Sequence, residues 1–86
     1  MSKKSVTVSN ITEKHDNPIA ELVQMACKFE SEITLESDNR RINAKSIMGM
    51  MSLGLNAGEE VTVIAEGTDE NAAVDSLEDY ISGKVN

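Results

Sequence analysis

The chain is poor in the residues that usually announce chemistry. Its 86 positions hold one histidine, one cysteine, one proline and no tryptophan. A single cysteine excludes an internal disulfide. Lysine and arginine number 8 against 15 aspartates and glutamates, for a formal net charge of −7. Generic nucleic-acid binding is disfavoured, because neutralising phosphates takes clustered cations. The one dibasic step, Arg40 and Arg41 near Asp38, reads as the solvated end of a hairpin. An anionic surface still suits steering toward basic protein partners. No stretch approaches the ~18 consecutive apolar residues of a membrane span. The opening MSKKSV carries two lysines with no apolar core behind them, so no signal peptide is expected. These absences point to a cytoplasmic protein with no membrane insertion.

Length argues for a single domain over 1–86. A chain this short buries a limited share of its surface, against a backbone entropy cost of roughly 1–2 kcal/mol per residue. There is no room for a deep substrate cavity. A reactive side chain or a recognition surface fits better than an enclosed active site.

Periodicity gives seven elements. Residues 5–9, SVTVS, alternate, with Val6 and Val8 on one face. NITEKHDN then reads as a loop. Pro18 suits a first helical position, and Asn17 before it is the natural N-cap. In the helix that follows, Ala20, Val23 and Cys27 share a stripe, with Leu22, Ala26 and Phe29 beside it, while Glu21, Gln24 and Lys28 face water. Cys27 is expected to be buried filler, without a redox or metal role. SEITLES and RRINA form a hairpin about the turn residues SDNR. Ser46 is placed to cap a short helix over Ile47 to Leu53, weakened by Gly49 and stopped by Gly54. VTVIAEG is the fourth strand. A last helix follows, capped by Thr68 or Asp69, carrying Ala73, Leu77 and Tyr80 or Ile81 inward, and ended by Gly83. The order βαββαβα, with half-buried alternating strands, implies α+β: a two-layer open-faced sandwich, its four-stranded antiparallel sheet covered on one face by helices.

Two positions carry candidate chemistry. His15 stands just ahead of a helix start. Neutral imidazole is nucleophilic near pH 7, with a reference pKa of about 6.5, and main-chain N–H groups around Asp16 and Asn17 would meet an incoming anion there. The plain alternative is a polar loop residue. Ser46, as an N-cap, is a place where a phosphate of about −1.5 to −2 charges fits without refolding, with Lys45 adjacent; the plain alternative is an ordinary cap. Some of Ile47, Met48 and Met51 must face outward from so short a helix, and adaptable Met side chains suit a partner surface. No metal set emerges, since His15 and Asp16 are adjacent, Cys27 is expected inside, and no fourth ligand is in view. No cofactor is implied.

The element order, His15 before a Pro-started helix, NAKSIMGMMSLG over 43–54 and EGTDENAAVDSLEDYI over 66–81 together resemble the HPr family. These are the phosphocarrier proteins of the bacterial phosphoenolpyruvate-dependent sugar phosphotransferase system, with a Crh-type branch acting in catabolite repression. The resemblance runs from about Val6 to Ile81. It implies a strand order 1-4-2-3 and a non-enzymatic role. In the family, a histidine at the place of His15 takes a phosphoryl group from the system's first enzyme and passes it to sugar-specific subunits. The serine at the place of Ser46 is phosphorylated by an ATP-dependent kinase, and part of the set Ile47, Met48 and Met51 contacts partners.

The histidine segment departs from the family pattern Gly-x-His-x-Arg-Pro-Ala. Here it runs from Glu13 to Ile19, with Asn17 at the arginine position and Asp16 beside the histidine. Asn supplies only neutral hydrogen bonds where charged ones contribute about 1.5–3 kcal/mol. Asp16 adds repulsion of about 1 kcal/mol per charge pair at 4 Å in water. Transfer slower by about 10- to 10³-fold is expected. Three readings follow: a carrier through His15 with regulation at Ser46, a Crh-like regulator working through phospho-Ser46 with a transcription regulator as partner, or a binding module lacking both reactions.

Overall fold

The computed structural model describes residues 1–10 and 16–83. The elements are β1 (Ser2–Thr7), α1 (Pro18–Cys27), β2 (Glu32–Ser37), β3 (Arg40–Asn43), α2 (Ile47–Leu53), β4 (Glu60–Glu66) and α3 (Glu70–Ser82). The strands form one antiparallel sheet in the order β1-β4-β2-β3. The expected α+β sandwich and the 1-4-2-3 order both hold.

Alternation decides which residues meet the helices. Val6, Val61, Val63, Ala65, Ile33 and Leu35 are buried on one side, against Leu22 and Ala26 of α1, Met50 of α2 and Ala73, Val74, Leu77, Tyr80 and Ile81 of α3. Burial of a Val, Leu or Ile contributes about 1.5–3 kcal/mol each. The hairpin closes at Asp38 and Asn39, both with positive φ (50° and 66°), between paired Ser37 and Arg40. A two-residue turn of that hand matches the twist of the strands, and Asp and Asn tolerate it.

β1 begins three residues earlier than the alternation suggests. Lys4 lies on the helix side, and its ammonium reaches Asp75 at 2.8 Å and Glu78 at 3.3 Å on α3, so the strand pairs without apolar side chains at its start. Val8 is buried beyond the strand's end, bonded through Val8 N–H to Glu59 O and Gly58 N–H to Val8 O, both 2.8 Å.

Cys27 corrects the sequence reading: it is exposed. The buried line of α1 runs through Leu22 and Ala26, with Ala20 and Val23 only half-buried beside it. Cys27 extends that flank one turn further, about 100° from Ala26, and so faces out. Asp69 occupies the N-cap position of α3 as expected, but its side chain makes no capping bond there. Its carboxylate accepts instead from Glu30 N–H (2.9 Å), Ser31 N–H (3.0 Å) and the Ser31 hydroxyl. No helix among the described residues is long and apolar enough to cross a membrane.

Candidate functional site

The first candidate site opens at the start of α1. Asn17 leaves helical geometry (φ −141°, ψ 72°), and its side-chain oxygen accepts from Ala20 N–H at 3.4 Å. Glu21 N–H closes the first turn on Asn17 O at 3.1 Å. Pro18 then begins the helix, where its missing donor costs nothing. This cap leaves fewer amides for an anion: Pro18 has none, and Ala20 is turned to Asn17. Asp16 and Asn17 are both exposed. His15 lies outside the described residues, together with Ile11 to Lys14. The structure therefore gives the helix entrance but not the imidazole.

The second site opens at α2. A tight turn leads out of β3: Lys45 N–H bonds Asn43 Oδ1 at 2.9 Å, and Ser46 N–H bonds Asn43 O at 3.0 Å. The Ser46 hydroxyl accepts from Gly49 N–H at 3.2 Å, and Ser46 O takes Met50 N–H at 2.9 Å. Ser46 is half-buried. Gly49 is there for packing: a Cβ on it would fall 2.9 Å from Ile42 Cγ2 and 3.3 Å from the Ser46 hydroxyl oxygen. A glycine that weakens a helix by propensity thus lets α2 lie close on β3.

α2 buries Met50 and turns Ile47, Met48 and Met51 outward, at 42%, 80% and 67% exposure. Alongside them, Arg40 donates to Ser52 O (3.2 Å) and to the Ser52 hydroxyl (3.0 Å). This places a cation at the negative end of α2. In sequence Arg40 reads as a solvated hairpin residue. Its contact depends on the hairpin folding back beside α2, which no local pattern encodes. Arg41 does face solvent, pairing with Glu36 at 2.7 Å.

Lys45 sits next to Ser46, but its ammonium donates to Phe29 O at 2.7 Å. That bond ties the β3–α2 turn to the C-terminal side of α1. α1 and α2 are in contact. Asp16 and Asn17 lie at the opposite end of α1 from this tie. A depression of about 700 Å³ lies by the β2–β3 turn among Glu36, Asp38, Glu59 and Glu60, and is lined by none of the candidate site residues. Among the described residues no cluster of His, Cys, Asp or Glu is arranged to hold a metal ion.

Residues 2–83 match the family described as "PTS HPr component phosphorylation site". The HPr-like protein Crh of Bacillus subtilis (strain 168) is 44% identical over 85 residues, covering 99% of this chain and all of the relative. Among solved structures, HPr-C-His from Thermoanaerobacter tengcongensis superposes with a TM-score of 0.88 at 46% identity, covering 98% of this chain and 94% of that one. Selenomethionyl Crh of Bacillus subtilis, a catabolite-repression protein described as a swapped, intertwined dimer, gives 0.76 at 41% identity, covering 94% and 88%. Capped helix entrance, sheet order and whole-length similarity agree, and the chain belongs to the HPr family of phosphocarrier proteins.

Proposed function

We propose that this chain relays phosphoryl groups through His15 in the phosphoenolpyruvate-dependent sugar phosphotransferase system and is regulated by phosphorylation of Ser46. The observation that carries this is the family match across residues 2–83, a family described by its phosphorylation site, joined to a helix that starts at Pro18 directly behind an Asn17 cap. An imidazole nitrogen of His15 takes the phosphoryl group from the first enzyme of the system. The phosphoryl–nitrogen bond is then broken by the accepting group of a sugar-specific subunit. The chain turns over no small substrate of its own. Amides around Asp16 and Asn17 face the anion, and Asn17 offers neutral donors in place of a guanidinium. The exposed Ile47, Met48 and Met51 supply an apolar contact surface. A serine kinase and phosphorylase act on Ser46. The protein works in the cytoplasm, with protein partners and without nucleic acid. Incubation with phosphoenolpyruvate and the first enzyme is expected to place an acid-labile phosphate on His15. No label, under conditions that fully label an ordinary family member, would refute the relay.

A second reading draws on the 44% identity to Crh and on Asn17 and Asp16 beside the histidine. In it, phospho-Ser46 and the segment from Ile47 to Met51 engage a transcription regulator, and transfer through His15 is weak or absent. ATP and the serine kinase then give an acid-stable label that Ser46→Ala abolishes. Equal labelling of Ser46→Ala would remove the site assignment.

A further inference from the structure

The last turn of α1 holds no basic residue, and Lys28 follows at its C-cap. Lys45, reaching across from the β3–α2 turn, adds a cation directly on a carbonyl at the negative end of the helix dipole, at 2.7 Å from Phe29 O. Lys45 and Phe29 are both half-buried, which shields their bond partly from water. Phe29 itself hangs from the helix end through Phe29 N–H to Ala26 O at 3.2 Å. The backbone around Lys45 is held separately, by Asn43 Oδ1 and Asn43 O. The ammonium is therefore free to change partner without unfolding the turn that carries Ser46. Among the residues lining the groove beside it, the one carboxylate is Glu32.

We infer that Lys45 is a positioning residue that couples Ser46 to the end of α1: negative charge placed on Ser46 draws the Lys45 ammonium off the Phe29 carbonyl, and the α1–β2 turn loses that anchor. The inference rests on Ser46 as a phosphorylation site and says what its modification does to the rest of the molecule. A phosphate on the adjacent residue carries about −1.5 to −2 charges, so an ammonium–phosphate bond has both partners ionised, whereas in the bond to the Phe29 carbonyl only the donor is. A single neutral carbonyl does not hold the ammonium against it. The opposite side of the same turn stays fixed, because Glu30 N–H and Ser31 N–H remain on Asp69. The release is confined to Phe29 and the last turn of α1.

The test compares Ser46→Asp with Ser46→Asn by NMR, since both side chains cap a helix and only the first adds charge. Ser46→Asp is expected to move the carbonyl-carbon resonance of Phe29 toward its position in Lys45→Met, and to speed exchange at Phe29 N–H by about 3- to 10-fold, the effect of one hydrogen bond. Exchange at Ser31 N–H stays unchanged, as does Phe29 in Ser46→Asn. Lys45→Arg keeps the response, and Lys45→Met abolishes any further movement by Ser46→Asp. A Phe29 resonance that ignores Ser46→Asp, or that moves equally with Ser46→Asn, overturns the inference. If Lys45→Met does not fold, the Asp and Asn comparison decides alone. No kinase enters this experiment, so failure of Ser46 labelling refutes the phosphorylation reading separately.

Discussion

Asp69 holds Ser31 across 38 positions of chain, its carboxylate accepting the Ser31 N–H at 3.0 Å together with the Ser31 hydroxyl. Gly67 makes the approach possible. At φ 155°, a Cβ there would lie 2.6 Å from the Ser31 hydroxyl oxygen and 2.7 Å from its Cα. These bonds, the hydroxyl first and then Glu30 N–H, hold the Asp69 carboxyl below its ordinary value of 3.8. A depressed folded-state pKa stabilises above the unfolded value, and the stabilisation is lost as pH falls through the folded one. Asp69→Asn is therefore expected to lower the urea midpoint at neutral pH and to flatten its decline below about pH 4. Parallel pH curves for the two proteins would contradict this.

Gly49→Ala sets two known effects against each other. Alanine gains about 1 kcal/mol in helix propensity, and the new methyl meets Ile42 Cγ2 at 2.9 Å, an overpacking that costs about 1–3 kcal/mol at a stiff β-branched side chain. Net destabilisation of about 1 kcal/mol is expected in wild-type background. In an Ile42→Ala background the same change becomes neutral or stabilising. Chemical denaturation of the four proteins checks the cycle.

The methionines of α2 separate by burial. Met50 is fully buried, so Met50→Ala is expected to cost about 2–5 kcal/mol. Met48→Ala, at a position 80% exposed, stays within about 0.5 kcal/mol. Loss of partner binding in Met48→Ala with unchanged thermal stability marks the surface as functional.

Restoring the family arginine brings a cost that the structure makes visible. Asn17→Arg with Asp16→Ala is expected to speed labelling of His15 by about 10-fold or more. It also removes the oxygen that caps Ala20 N–H, a loss of about 0.5–2 kcal/mol. Faster labelling with lower stability supports the account of Asn17; unchanged labelling rejects the proposed electrostatic defect.

Tyr80 gives an alkaline signature. Its pKa is pushed up to about 12, by burial first and then by the charge and hydrogen bond of Glu21. A raised folded-state value means that stability is complete below the unfolded value of about 10 and falls as pH rises toward 12. Tyr80→Phe is expected to remove that decline in thermal melts.

Local chemistry was legible wherever a residue acts on its own neighbours. Asn17 and Pro18, Ser46, Gly54 and Gly83 mark helix ends where the structure has them. Alternation located the strands around Val6 and around Ile33 and Leu35, because only one face of the sheet is covered. What stayed hidden were bonds between distant segments. The start of β1 is polar and pairs because Lys4 finds acids on α3. Asp69 looks like a cap and serves Ser31; Lys45 looks like a phosphate ligand and holds Phe29; Arg40 looks solvated and binds Ser52. Cys27 shares an apolar stripe in sequence, yet α1 buries Leu22 and Ala26 and leaves Cys27 exposed. The helix start at Pro18 behind its Asn17 cap was legible, while His15 lies outside the described residues.

The relay through His15 meets its most direct test in intact-protein mass measurement after incubation with phosphoenolpyruvate and the first enzyme, before and after brief acid treatment. One added phosphoryl group that acid removes, and that His15→Ala never acquires, is the predicted result. An unmodified mass beside a fully labelled ordinary family member would contradict it.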